Sequence, residues 1–259
     1  MKPSIRSAAW FAATVPARLA APTLVATLAL FGFGGVAPAA AAQPAPRIAS
    51  IEVLDLVRLN VHARPGAPRL RELSGLAWDA DEGRLVAVSD KGAVFSLTLD
   101  VELGRIESVV ISAAAKLNSK ARVNAESVWV RHGDNGRPGD SEILIVDEAA
   151  GEVVIVDLQG SIRSRLALPA ALRDSSKYEK KNRGVEALAW HPLHGAVAAP
   201  QRPLTSHLPG THRIYAGNGS VWAFTADRRG PSSVKAIERL GDASLLVLEK
   251  VRTPTGDTS

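Results

Sequence analysis

The chain has 259 residues, a net charge of +5, 46% hydrophobic and 22% charged residues, and no cysteine. It is long enough to bury one large core or two small ones. A disulfide scaffold, a zinc–thiolate module and a cysteine nucleophile are excluded, and the balance of apolar to charged residues argues against a disordered chain.

The N-terminus accounts for much of the basic charge. Residues 1–42 hold Lys2, Arg6 and Arg18 and no acid, then an apolar centre from Leu24 to Val36, then Ala37-Pro38-Ala39-Ala40-Ala41-Ala42. A basic start, an apolar middle and a small-residue exit describe a secretory signal peptide cleaved after Ala42. The competing reading is a retained anchor, since Leu19 to Ala42 is uncharged and long enough to span a bilayer. Pro22, Gly32, Gly34, Gly35 and Pro38 interrupt that stretch and favour cleavage. Losing 42 residues and three positive charges leaves 217 residues at +2. At that charge the electrostatic case for a nucleic-acid partner disappears, and no membrane anchor remains. Export without cysteine fits a bacterial periplasm or a secreted protein.

Residues 43–47 read as a short tether, and residues 48–259 as one domain. Ile48 to Leu59 alternates loosely, as a strand would. Short apolar runs follow at Leu85–Val88, Val94–Leu97, Ile143–Val146, Val153–Val156, Gly195–Ala199, Val221–Phe224 and Leu245–Leu248. They are too short for helices and many are β-branched. Ala113 to Ala121 is the best helical stretch, read as a loop or one short helix. Asp81-Glu82-Gly83, His194-Gly195, Asn218-Gly219-Ser220 and Gly241-Asp242 read as hairpin turns.

Four segments share one pattern of apolar residues, an acid or serine, and a following strand. Aligning Ser74, Glu126, Glu186 and Glu238 gives spacings of 52, 60 and 52 residues. Repeats of about 50 residues with several short strands each predict a β-propeller. One small sheet cannot bury both faces, so blades stack around an axis and cover one another. The alternative is an irregular all-β sandwich.

In a propeller, one repeat position maps to one height in every blade. Glu126, Glu186 and Glu238 occupy one such position, and Asp90, Glu148 and Glu249 follow the second strand. Carboxylates converging on an axial channel repel one another. A calcium ion, which takes about six to eight oxygen ligands, would neutralise them. The alternative is that these acids accept backbone hydrogen bonds in repeated turns. The basic run Lys177, Lys180, Lys181 and Arg183 is either a solvated loop or a channel-mouth segment in which Lys181 and Arg183 bind an anionic substrate. His191 and His194 lie three apart in an expected turn. No Gly-x-Ser-x-Gly elbow or P-loop is present.

The stretches Leu73-Ser74-Gly75-Leu76-Ala77 with Ser89-Asp90-Lys91-Gly92, Asn182-Arg183-Gly184-Val185-Glu186-Ala187-Leu188-Ala189, and Leu245-Leu246-Val247-Leu248-Glu249-Lys250 resemble the phytase-like family, labelled esterase-like activity of phytase. The resemblance runs from about residue 50 to 250. It implies an exported bacterial propeller, related in architecture to calcium-dependent propeller phytases, that acts on small phosphate or carboxylate esters. Asp90, Glu126, Glu148, Glu186, Glu238 and Glu249 match its motifs. Gln201 and Ser74 depart from them, each standing where an acid is expected. Such propellers have six blades, whereas about four fit here at roughly 50 residues each, so an incomplete propeller is expected. The functional expectation is a metal-assisted ester or phosphoester hydrolase using calcium. The alternative is a non-catalytic binding or scaffold propeller.

Overall fold

The computed structural model describes residues 53–57, 59, 66–118, 123–148, 150–180, 184–227 and 229–252. The expected signal peptide, the tether, Lys181 and Arg183 lie outside the described residues. Of the unit Trp10–Val57, only Val53–Val57 is described. These five residues form no strand, and Val53, Leu54 and Leu56 are exposed. The loose alternation of this segment thus does not produce a paired strand there.

The rest of the described chain is four successive antiparallel sheets. The first holds β1 (Leu73–Asp79), β2 (Arg84–Ser89), β3 (Ala93–Glu102) and β4 (Arg105–Lys116). The second holds β5 (Ala125–Arg131), β6 (Glu142–Asp147), β7 (Glu152–Val156) and β8 (Ile162–Ala167). The third holds β9 (Val185–His191), β10 (Gly195–Pro200), β11 (Thr211–Ala216) and β12 (Val221–Thr225). The fourth holds β13 (Ser232–Arg239) and β14 (Leu245–Val251). Strands follow one another across each sheet in chain order, and β1, β5, β9 and β13 lie side by side in sequence. This is the blade pattern of a β-propeller, and four blade-like sheets fit an incomplete one.

The apolar run of β6 is continuous because the second blade is covered on both faces. Ile143, Leu144, Ile145 and Val146 of β6 are all buried. Ile143 and Ile145 pack with Val86, Val88 and Val94 of the first sheet. Leu144 and Val146 pack with Leu188, Val197 and Ile214 of the third. Fully burying one such side chain contributes about 1.5–3 kcal/mol, so blade-to-blade contact is the main source of stability.

Ala113 to Lys116 belong to β4, correcting the loop or short-helix expectation for that part of the stretch to Ala121, of which residues 119–121 lie outside the described residues. Ala113, Ala114 and Ala115 pair with Ser96, Phe95 and Val94. Their small side chains fit the strand against its neighbour, which overrides the helical preference of alanine. The four turns expected from Gly, Asp and Asn join β1 to β2, β9 to β10, β11 to β12 and β13 to β14.

Gly75 lets the first two blades meet. A Cβ there would lie 2.9 Å from the Val128 backbone nitrogen and 3.1 Å from Ser127 Cα. Backbone cannot yield as a side chain would, so Gly75→Val is expected to destabilise the protein by about 3 kcal/mol. The urea unfolding midpoint reads this directly, and an unchanged midpoint would refute the close approach.

Candidate functional site

The innermost strand of every blade begins with the same irregularity. The ladder register shifts between Leu73 and Gly75, between Ala125 and Ser127, and between Val234 and Ala236. In the third blade the pairs Pro200–Val185 and Ala199–Ala187 leave Glu186 in the same place. A bulge puts one unpaired residue at each strand start and re-aims its side chain. Those residues are Ser74, Glu126, Glu186 and Lys235.

The fourth repeat is therefore registered three residues earlier than its acids suggest. Glu238 pairs with Leu246 near the β13–β14 turn, at the opposite end of β13 from the bulge. It is exposed, next to the Arg239 that binds Asp134 at 2.8 Å. Glu249 pairs with Val234, and the position matching Asp90 and Glu148 falls on Lys250. Glu249 Oε1 accepts the Asp227 backbone N–H at 2.9 Å. The expected channel set of six acids is thus corrected to four, because ladder pairing rather than local sequence fixes height in a blade.

The remaining four come together. Glu186, Glu148 and Asp90 all lie within electrostatic reach of Glu126. Burial, and then repulsion from these three carboxylates, pushes the Glu126 carboxyl up to about 7. Burial also raises Glu148, against hydrogen bonds from the Gly184 N–H and the Asn124 side chain that favour its ionised form. Asn124 Nδ2 bridges the two, donating to Glu126 Oε1 at 3.1 Å and to Glu148 Oε2 at 2.6 Å. Glu186 is held from both sides, by the ammonium of Lys235 and by Gln201 Nε2 at 2.9 Å from Oε2. Asp90 faces Lys91 at 3.3 Å, and Lys91 also pairs with Glu72.

Lys235 and Asn124 carry no motif that singles them out. Aligning the second strands rather than the acids would have located Lys235. Gln201, a departure from the acidic pattern, is a hydrogen-bond donor to the repeat acid of its own blade.

The fit of this cluster to calcium can be judged from its donors. Asp90 Oδ1 is buried with no hydrogen-bond partner among the described residues. Yet no three acidic or histidine side chains among the described residues are grouped so as to hold a metal ion. Glu186 already has an ammonium partner. As arranged, the four acids form an Asn124-bridged carboxyl pair beside two ion pairs rather than a calcium cage.

A second polar group lies where the third and fourth blades meet. A cleft of about 490 Å³ is lined by Arg202, Thr211, His212, Thr225, Asp227 and Ser232, among others. His212 Nε2 lies 2.7 Å from Ser232 Oγ and 3.6 Å from Glu249 Oε1. Sequence spacing gave no hint of this meeting, since the two residues come from β11 and β13.

The sequence model for the phytase-like family, described as esterase-like activity of phytase, matches residues 68–258. No protein of curated function matches the chain. Among solved structures, a virginiamycin B lyase from Staphylococcus aureus is 12% identical over 73% of this chain and 54% of its own, with a TM-score of 0.35. The β-propeller domain of Myceliophteria thermophila Cps50 (Swd1) is 12% identical over 74% and 56%, with a TM-score of 0.39. A Dos1 propeller is 15% identical over 71% and 44%, with a TM-score of 0.36. The chain spans about half the length of these structures. The family match covers most of the chain, including every blade described above, and the protein belongs to the phytase-like family.

Proposed function

We propose that the protein hydrolyses small anionic esters or phosphoesters at the channel end built by Glu126, Glu148, Glu186 and Lys235. The observation that carries this reading is Glu126, a carboxyl held near neutrality by burial among like charges. An acid whose proton is shared about equally with solvent at pH 7 is matched to general acid catalysis. Glu126 donates its proton to the leaving oxygen. Glu148, fixed by the Gly184 N–H and Asn124, takes a proton from the attacking water. Lys235 offers the nearby positive charge that meets the substrate anion, its head group held by Glu186, which Gln201 in turn holds. Water attacks the phosphorus or carbonyl carbon, the ester bond breaks, and the leaving group departs as the neutral alcohol.

Since the described acids are not grouped as a metal cage, no step runs through calcium. Turnover of phosphate and carboxylate esters by the purified protein, in chelator and in millimolar calcium, tests the reading. Turnover in chelator supports it. Turnover that appears only with calcium would favour a rearranged metal site. Specific ligand binding without turnover would favour the scaffold alternative.

The proposed place of action is outside the cytoplasm, on the strength of the pattern in residues 1–42. Intact-mass analysis of the exported protein is expected to find Gln43 as its first residue. A retained residue 1–42 segment would contradict this.

A further inference from the structure

The cleft beside the third and fourth blades holds a hydroxyl–imidazole pair that the channel-end chemistry does not use. Ser232 opens β13 directly after Pro231, and His212 lies on β11. Ser232 is 6% exposed and His212 is 1% exposed. The pair lines a cleft of about 490 Å³, within the size range of small-molecule sites.

The surroundings suit proton transfer. Burial, together with the nearby Arg202 charge and against that of Glu249, holds the His212 imidazole below its ordinary basicity, so it is the free base at neutral pH. A free-base Nε2 at 2.7 Å can accept the Ser232 proton. Glu249 Oε1 stands 3.6 Å from that same nitrogen, where it favours the imidazolium once formed. Glu249 is itself held by the Asp227 N–H. The Phe224 ring, 5.4 Å away centroid to centroid, packs against the imidazole. Arg202 borders the cleft, and its Nε is buried without a hydrogen-bond partner among the described residues.

We propose that Ser232 is a nucleophile activated by His212, and that the cleft cleaves small carboxylic esters whose negative charge meets Arg202. Ser232 Oγ bonds to the acyl carbon as its proton passes to His212 Nε2. The bond from the acyl carbon to the alcohol oxygen breaks, and the departing oxygen takes that proton. Water, deprotonated by the same nitrogen, then cleaves the acyl-serine. The net change is ester plus water to acid plus alcohol. This second activity uses none of the channel-end residues and stands or falls separately from them.

A fluorophosphonate probe on the full chain, followed by peptide mapping, tests the assignment without any variant. The expected result is one label, on Ser232, that is lost when the protein is unfolded before treatment. No label on Ser232, a label on Ser233 instead, or equal labelling of native and unfolded protein would overturn it. Ser232→Ala is expected to abolish the label and the fluorophosphonate-sensitive part of carboxylic-ester turnover, a loss of at least 100-fold in that part, with phosphate-ester turnover unchanged. Equal loss in both, or in neither, would also overturn it. Glu126→Gln is expected to keep the Ser232 label, so failure of the channel-end reading would leave this result intact.

Discussion

Glu126→Gln is expected to slow hydrolysis about 10²- to 10⁴-fold, the range for loss of a general acid, while making the protein more stable at pH 8. The sign follows from the direction of the shift. The folded carboxyl holds its proton up to about 7, whereas the unfolded one releases it near the ordinary glutamate value. The folded state therefore binds more protons between these values, and stability falls as pH rises through that window. The full shift corresponds to roughly 3 kcal/mol, and partial exposure reduces the realised gain to about 1–2 kcal/mol. Glutamine keeps an acceptor for Asn124 and carries no charge. Thermal melts should show the variant above wild type at pH 8 and equal to it at pH 4. Turnover should suffer more with an alkyl leaving group than with a nitrophenyl one, because the poorer leaving group needs the proton more. A variant that is less stable at both pH values would mean that Glu126 is a structural acceptor.

Lys235→Met is expected to cost about 2 kcal/mol of stability at pH 8. Breaking a partly buried pair strands the remaining charge, and the Glu186 side chain is only 12% exposed against 32% for Lys235. Methionine retains the apolar stem, so lost packing contributes little. Gln201 still holds one Glu186 oxygen, but repulsion from the Glu126 and Glu148 side is no longer offset. The ammonium also lowers the Glu126 carboxyl, so its loss should move the alkaline limb of the rate profile upward. Urea midpoints at pH 5 and pH 8 read the first effect, and a pH–rate profile the second. A stability loss below about 0.5 kcal/mol with an unmoved limb would place the pair among ordinary solvated ion pairs.

The blades were legible because their second strands, β2, β6 and β10, are buried on both faces. Val86 and Val88 of β2, Ile143 to Val146 of β6 and Ala196 to Ala199 of β10 are apolar runs with no polar face to hide, and the turns between them carry Gly, Asn or Asp. The height of the fourth blade was not legible. Glu238 mimics the acids of earlier repeats, yet what sets the level is the pairing of Val234 with Glu249 and the bulge at Lys235. That pairing is a property of two strands together. Half of the channel end was readable as acids, but the groups that tune them were not. Asn124 and Gln201 look like ordinary polar residues until their amides reach Glu126, Glu148 and Glu186. The alanines of β4 misled in another way, since their helix preference is local and their fit beside β3 is not.

The most direct test of the channel-end account is the pH–rate profile of phosphate-ester hydrolysis in chelator, measured for wild type and Glu126→Gln side by side. The account predicts turnover by wild type that declines as pH rises through about 7, and a variant that is slow and lacks that decline. Absence of turnover in chelator, or a variant that matches wild type in rate and profile, would contradict it.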